Sequence, residues 1–516
     1  MNHLERKKKA YYNTAASLLL EAVTIVCGLI LPRLILQRFG SAYNGIVSSI
    51  TQFISCVTLL RSGLGGVVRA ALYKPLADND NERISCIVKQ SEVFMTRVAR
   101  IYSACLVLFA LIYPIIVIKD FGPLFSSSLV IILGLSTYFE CRFAIAYQFL
   151  LQADQKRYIV ALIRSVCLIL NCTIAALLIK TGCSIHIVKL GSAFAFSLSP
   201  LLIYIYVRRN YTLNRNCRED GSVLTQRWDA FAHQVAAFIM SNTDVMVLTL
   251  FTDMPTVSIY SVYNMITAPM KNFVLSFANG VEAAFGNMLA KNENELLKRS
   301  FELYTYCIFT ISSLLFTCTG ILITPFIMVY TVGVHDADYF QPLFGCLMTL
   351  AQFIACTRIP FQTMVETAGK FKETRNGAIL EALINIVVSI LLVNFIGLIG
   401  VVIGTIVALL FRTVQYALYV DKHQITGCFR SFVKHIVQNS AFAAFSCLTV
   451  YLVQRKFKSF LEPDRSYTIW FVHAVIVFLL CTILMIIIQL LTNKKQFLGM
   501  LNFLLSSVKE RRKQTS

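Results

Sequence analysis

About fourteen mostly apolar stretches, each of about 20 residues or more, follow one another along this chain with short polar segments between them. They lie near residues 13–37, 43–70, 92–118, 123–150, 157–180, 184–207, 229–252, 255–288, 301–330, 339–366, 374–396, 398–420, 433–453 and 468–491. A helix of roughly 20 residues crosses the hydrocarbon core of a bilayer, and in lipid it must satisfy its own backbone hydrogen bonds. The chain is therefore expected to be an all-α polytopic membrane protein. Composition agrees: 57% of the residues are hydrophobic, 14% are charged and the mean hydropathy is +0.67, far from the balance of a soluble domain. Met1 to Lys9 lead straight into an apolar stretch of about 24 residues, longer than the roughly 7 to 15 of a cleaved leader, so the first span is expected to remain as an anchor.

Lysine and arginine collect on one side of this arrangement. They precede the first span (Arg6, Lys7, Lys8, Lys9) and follow every even one: Lys74 and Arg83, Lys156 and Arg157, Arg208 and Arg209, Lys298 and Arg299, Lys370 and Lys372, Lys422 and Arg430, and the tail from Lys509 to Lys513. The rule that cytoplasmic loops are basic then puts both termini in the cytoplasm. Arg455, Lys456, Lys458 and Arg465 break the pattern, so the last pair of spans is the least regular part of the topology. Spread over separate loops that face anionic headgroups, these residues account for the net charge of +20 without a nucleic-acid partner, which needs one contiguous basic surface.

The chain is also internally duplicated. LADNDNE (Leu76 to Glu82) and LAKNENE (Leu289 to Glu295) recur 213 residues apart (289 − 76), each after a pair of apolar stretches. Tyr113-Pro114 is echoed by Thr324-Pro325, Ala153 to Arg157 by Ala368 to Lys372, and Asn171 by Asn385, all at a similar spacing. Two six-helix lobes of the same orientation follow, because six crossings return a chain to its starting side. The expected division is a first lobe over 1–210, a linker over 211–228, a second lobe over 229–425, and two further helices with a basic tail over 426–516. Parallel repeats of this kind enclose a substrate path between them.

Several function classes fall away. There is no GxxxxGK[ST] phosphate loop, so the chain brings no nucleotide hydrolysis of its own. The sixteen cysteines are scattered through apolar stretches without CxxC or Cys/His spacing and read as small packing residues. No extramembrane segment is long enough for a catalytic domain, which argues against an enzyme. The remaining energy sources are an ion gradient, the membrane potential or the substrate's own gradient.

LPRLILQRFGSAYNGIVSSITQF (Leu31 to Phe53) and LLRSGLGGVVRAALYKPLA (Leu59 to Ala77) carry a resemblance. They resemble the opening of bacterial polysaccharide repeat-unit flippases, in the superfamily that also holds multidrug and toxin extruders and lipid II flippases. The resemblance is specific over roughly the first 90 residues and architectural beyond them. It implies about 14 helices, two six-helix lobes in a V and two C-terminal helices, with a central cavity exposed to each leaflet in turn. It implies a cargo of undecaprenyl-pyrophosphate-linked oligosaccharide, moved from the inner to the outer leaflet of the bacterial cytoplasmic membrane. Polysaccharide polymerases and glycosyltransferases are the implied partners, and a monomer is expected. A multidrug extruder is the alternative transporter, and a membrane polymerase or ligase the alternative of another class.

A pyrophosphate needs cations, and arginine keeps its charge and its donor fork when desolvated. Charges inside membrane helices are functional candidates by default. Arg33 and Arg38 on the first span, Arg61 and Arg69 on the second, Arg142 on the fourth, Lys271 on the eighth and Arg358 on the tenth are the candidate anion ligands. In lipid II flippases arginines precede a Phe-Gly on the first helix and follow a Leu-Leu on the second; Arg33, Arg38 and Arg61 fall at similar places, with the first-helix spacing off by one. Arg38 serves equally well as an interfacial anchor, and Arg69 as an anchor with Lys74. Asp244, Glu381, Asn385 and Thr405 resemble the cation site of the same relatives, with acid and amide reversed on the eleventh span. Glu21 is a third intramembrane acid, a proton carrier or an internal partner for an arginine. Sodium or a proton is the expected coupling ion, and no other cofactor is expected. Pro32 and Pro360 each remove one helical hydrogen bond and are expected to kink their helices, whereas Gly400 and Gly404 read as a close-packing step.

Overall fold

The computed structural model describes residues 3–56, 64–214, 228–278, 281–456 and 466–499, and all regular structure among them is helical. The helices are α1 (His3–Phe39), α2 (Ser41–Ile54), α3 (Leu64–Asp78), α4 (Asn81–Ile116), α5 (Pro123–Phe143), α6 (Ile145–Ala153), α7 (Arg157–Lys180) and α8 (Ile185–Asn210). They continue as α9 (Trp228–Phe251), α10 (Met254–Ala278), α11 (Glu282–Ala290), α12 (Asn294–Tyr330), α13 (Pro342–Thr367), α14 (Phe371–His423), α15 (Cys428–Lys456) and α16 (Tyr467–Thr492). Among the described residues ten helices are long and apolar enough to cross a bilayer. Large apolar side chains such as Phe395 (83% exposed) and Leu491 (80%) stand on their outer faces, as lipid permits and water would not. The chain is a multi-pass membrane protein.

The helix boundaries follow local chemistry. Pro123 and Pro342 open α5 and α13 at positions where the missing amide proton would have no partner in any case. The Asp80 side chain accepts from Arg83 N at 3.0 Å and caps α4. The expected span 123–150 is broken at Ala144 into α5 and α6, whereas the expected spans 374–396 and 398–420 are the two arms of α14, folded back at Ile396 and Gly397. Gly397 holds a φ of 55°, which a residue without Cβ adopts freely. Neither Pro32 nor Pro360 breaks its helix: α1 and α13 run through them, since a proline removes one hydrogen bond and the flanking turns retain theirs.

The duplication is written into the backbone. Asn79 after α3 and Asn292 after α11 both hold φ 56°, 213 residues apart (292 − 79). In each turn the next amide reaches back five residues, Asp80 N to Pro75 O at 2.9 Å and Glu293 N to Met288 O at 3.0 Å, the 6→1 bond of a left-handed helix cap. Gln155 and Gly369 repeat the device at φ 57° and 68°, with Lys156 N on Leu151 O (2.8 Å) and Lys370 N on Val365 O (3.1 Å). Asparagine tolerates this conformation better than most residues, which is why the heptapeptide keeps it.

By their contacts the residues form two compact units, Met1–Ser261 with Gly333–Ala337, and Val262–Val332 with Asp338–Ser516. In the first, α1 packs on α7, and Ile35, Ala175, Ile179, Ile185 and Val188 form a core joining α1, α7 and α8. The Gly333–Ala337 segment belongs here because Asp336 accepts from Ser41 N (2.6 Å) and Ser41 Oγ (2.7 Å) at the start of α2. In the second unit the arms of α14 lie so close that a Cβ on Gly404 would overlap Ser389, and one on Gly400 the Leu392 backbone. The small-residue step therefore sets the spacing of that hairpin. Helices α15 and α16 pack on α12 through Cys318, Phe442, Val450, Val477, Cys481 and Met485.

Candidate functional site

In the second unit, a carboxylate meets two guanidinium groups, with a lysine near one of them. The third turn of α13 from its end presents Arg358, whose Nη1 donates to Glu381 Oε1 at 2.6 Å across to the first arm of α14. On the other side of Glu381, Arg412 of the second arm places Nε 3.6 Å from Oε2. Arg412 is 1% exposed and held on every edge: Nη1 donates to Thr374 O (2.9 Å) and Gln415 Oε1 (2.6 Å), Nη2 to Tyr416 OH (2.7 Å), and its guanidinium carbon lies 4.0 Å over the Tyr416 ring. Gly377 makes room for it, since a Cβ there would collide with Arg412 and Gln415. Half-buried Lys271 of α10 lies within electrostatic reach of Arg358. The Arg358 Nε is buried without a hydrogen-bond partner.

One turn along α14 from Glu381, Asn385 is fully buried and donates from Nδ2 to Thr405 Oγ1 at 2.9 Å, while its Oδ1 has no partner. Asp244 lies on α9 in the first unit, 6% exposed, and accepts from Tyr260 OH at 2.9 Å. The four expected cation ligands therefore divide as Asp244 in one unit and Glu381, Asn385 and Thr405 in the other.

The first unit contains a cavity of about 430 Å³. Glu21 and Thr24 of α1, Glu140 of α5, Gln148 of α6, Arg164 of α7 and Ser199 of α8 line it. Arg164 Nη2 donates to Glu140 Oε1 at 2.7 Å and reaches Gln148 Oε1 at 3.4 Å. Two carboxylates thus face one guanidinium, and no ion pair involves Glu21 among the described residues. Each unit carries an Arg–Glu bridge between neighbouring helices, Glu140–Arg164 and Arg358–Glu381, with acid and base exchanged in chain order.

The remaining candidates are spread out. Arg33 is half-buried on α1, and exposed Arg38 lies in the last turn of the same helix beside the Gly182 turn. Arg69 donates to Gln152 Oε1 at 2.9 Å, which ties α3 to α6. Arg142 is exposed and sits 5.1 Å over the Phe143 ring. Arg61 lies outside the described residues. Sequence reading missed Arg164 and Arg412, which lie seven residues after Arg157 and ten before Lys422 (164 − 157 and 422 − 412), in the span ends that adjoin basic loops. The available signal was a guanidinium inside an apolar stretch, the feature that marked Arg33 and Arg358.

Outside the spans, Asp154 in the α6–α7 turn gathers Lys9 (3.1 Å), Lys156 (2.8 Å) and the Tyr211 hydroxyl (2.5 Å), while Asn13 bonds the adjoining Gln155 O at 2.9 Å and Tyr158 N at 2.7 Å. Burial raises the Asp154 pKa, but these donors outweigh it and hold the carboxyl below its ordinary value. Burial and the Asp154 charge push the Tyr211 hydroxyl up.

Solved structures of transporters share this architecture. The structure titled lipid II flippase MurJ, inward closed conformation, superposes with a TM-score of 0.66 at 16% identity, covering 90% of this chain and 98% of that one. The fold is that of the MurJ and MATE transporters. An inward-facing multidrug resistance MATE family transporter of the MOP superfamily gives a TM-score of 0.56 at 13% identity over 79% of this chain and 94% of its own. The Vibrio cholerae MATE transporter VcmN in the bent form gives 0.54 at 13% identity over 83% and 99%. No protein-family model and no curated protein sequence matches the chain. The MurJ-like and MATE-like fold is thus a likeness of architecture at identities where substrate and coupling are free to differ.

Proposed function

We propose that this protein is a flippase that carries undecaprenyl-pyrophosphate-linked oligosaccharide units from the inner to the outer leaflet of the bacterial cytoplasmic membrane, with both termini in the cytoplasm. The observation that carries the reading is the surplus of cations in its membrane helices: Arg358 and Arg412 face Glu381, Lys271 lies within electrostatic reach of Arg358, and α1 carries Arg33 and Arg38. Such charges are costly in lipid, and an anionic cargo gives them a use. The two lobes read from the sequence, 1–210 and 229–425, would rock about the cargo, with 426–516 as an accessory pair of helices. Glu21, facing the first-unit cavity, is our choice for the coupling site, taking a proton or a sodium ion in exchange.

The same cavity favours a second reading. Two carboxylates against one guanidinium, with Phe196 alongside, suit an organic cation, as in multidrug extrusion. The experiment that separates them is expression in a strain deleted for its repeat-unit flippase. Restored surface polysaccharide supports the flippase; raised resistance to cationic dyes without restored polysaccharide supports the extruder.

A further inference from the structure

The place in the second unit where the resemblance implies a cation is built for the opposite charge. Glu381 is 4% exposed, and both its oxygens already face guanidinium groups, Arg358 at 2.6 Å and Arg412 at 3.6 Å. A sodium ion there would have to displace a resident cation that is covalently part of the fold. This donor set does not fit sodium. The local sum runs the other way: even with Glu366, which lies within electrostatic reach of Tyr416 beside Arg412, the three cations Arg358, Arg412 and Lys271 outnumber two carboxylates. Buried surplus charge is unfavourable unless a counter-ion arrives.

The geometry shows where it would arrive. Arg412 is the more committed of the two arginines: Thr374 and Gln415 accept from its Nη1, Tyr416 from its Nη2, and its Nε faces Glu381. Arg358 spends Nη1 on Glu381, whereas its Nε is buried with no acceptor and its Nη2 makes no hydrogen bond among the described residues. The Nε–Nη2 edge is the fork that takes two oxygens of one oxyanion. Lys271, with no acceptor among the described residues, supplies a point charge beside it.

We propose that Arg358 and Lys271 form an oxyanion site of the phosphate class in the second unit, and that Glu381 is a positioning residue that holds Arg358 in place rather than a ligand for a metal cation. Arg412 is the strut behind Glu381. This deepens the flippase reading by naming a second-unit anchor for an anionic cargo, but the site's test needs no transport. The phosphate group comes either from a free pyrophosphate-like ligand or from a bilayer lipid, and the experiment separates the two.

The test uses the purified full-length protein in a neutral detergent, with inorganic pyrophosphate as the soluble probe and phosphatidylglycerol as the lipid probe. Pyrophosphate is expected to raise the thermal unfolding midpoint saturably, with sodium chloride at matched ionic strength as the control. Arg358→Gln and Lys271→Gln are each expected to weaken that binding at least about 10-fold, the loss of one charge-assisted contact of about 1.4 kcal/mol or more. Glu381→Gln is expected to weaken it too, which a merely structural role would not do at an unchanged midpoint. Should that variant fold poorly, Glu381→Asp, which keeps the charge but shortens its reach to Arg358, supplies the comparison and is expected to weaken pyrophosphate binding as well. Binding of phosphatidylglycerol but not pyrophosphate, seen as adducts by native mass spectrometry and lost in Arg358→Gln, identifies a lipid headgroup at the same site. Stabilisation by sodium that depends on Glu381, or no binding of either probe, overturns the proposal. Oxyanion binding without any lipid-linked sugar transport would retain this site and remove only the flippase reading.

Discussion

Arg358 and Glu381 form a 2.6 Å ion pair between α13 and α14, and this one contact changes what the acid on α14 can do. A carboxylate with a free face is a candidate for protons or metal ions; one clasped by two guanidinium groups is part of a cationic cluster. The first-unit bridge, Arg164–Glu140, is 2.7 Å long but more exposed, with side chains 42% and 27% accessible against 20% and 6% for Arg358 and Glu381.

That difference predicts unequal coupling. Breaking the second-unit pair by Arg358→Gln leaves Glu381 with Arg412 alone and should cost on the order of 3 kcal/mol. Glu140→Gln should cost roughly 1 kcal/mol or less, in line with an accessible pair. Double-mutant cycles on thermal or denaturant unfolding in detergent measure both. Equal coupling energies would contradict the contrast in burial.

The left-handed turns give a sharper local expectation. Asn79 and Asn292 hold φ 56°, so Asn→Ala at either should destabilise by roughly 1 kcal/mol, whereas Asn→Gly should be near neutral. Unfolding midpoints of the four single variants decide it. A larger loss for glycine than for alanine would be incompatible with the conformation described.

Gly404 faces Ser389 across the α14 hairpin with no room for a Cβ. Gly404→Ala should force the arms apart, stretch the 2.9 Å Asn385–Thr405 bond and cost about 1–3 kcal/mol. Gly397→Ala, where a Cβ would meet nothing within 4 Å but φ is 55°, should be destabilising through backbone strain alone. A cysteine pair placed on Asn385 and Thr405 reports the arm spacing by crosslinking, reduced in the Gly404→Ala background.

The Asp154 knot carries a pH dependence. Its carboxyl is held below the ordinary value, so the stability it contributes is present above the unfolded-state pKa of about 3.9 and disappears as the pH falls through the lower folded-state value. Asp154→Asn should flatten the acid limb of the stability profile between pH about 5 and 3, while Lys9→Met should shift that limb to higher pH. An acid limb identical in wild type and Asp154→Asn would refute the assignment.

Much of this was legible in the sequence, because membrane helices announce themselves by length and the repeat by paired turn residues. The echo of LADNDNE in LAKNENE marks two turns with the same φ and the same 6→1 bond. Helix continuity was less legible: Pro360 looks like a breaker and is not, whereas Ala144 breaks a stretch that composition joins. A single proline removes one hydrogen bond, but a break needs tertiary contacts that only the folded chain supplies. The partners of charged groups were least legible. Helical spacing places Glu381 and Asn385 on one face, yet which arginine reaches that face is settled by residues 23 positions before Glu381 and 31 after it (381 − 358 and 412 − 381).

The most direct test of the central claim is translocation of a lipid-linked oligosaccharide in vesicles containing only this protein. Undecaprenyl-pyrophosphate-linked oligosaccharide is placed in one leaflet, and its arrival in the other is read with a membrane-impermeant lectin or oxidant. Wild type is expected to move it, and Arg33→Ala and Arg358→Gln are expected to reduce the rate by at least about 10-fold while remaining folded in the membrane. No movement of the lipid-linked sugar by wild type, in vesicles where the same protein drives uptake of a cationic dye, would contradict the account.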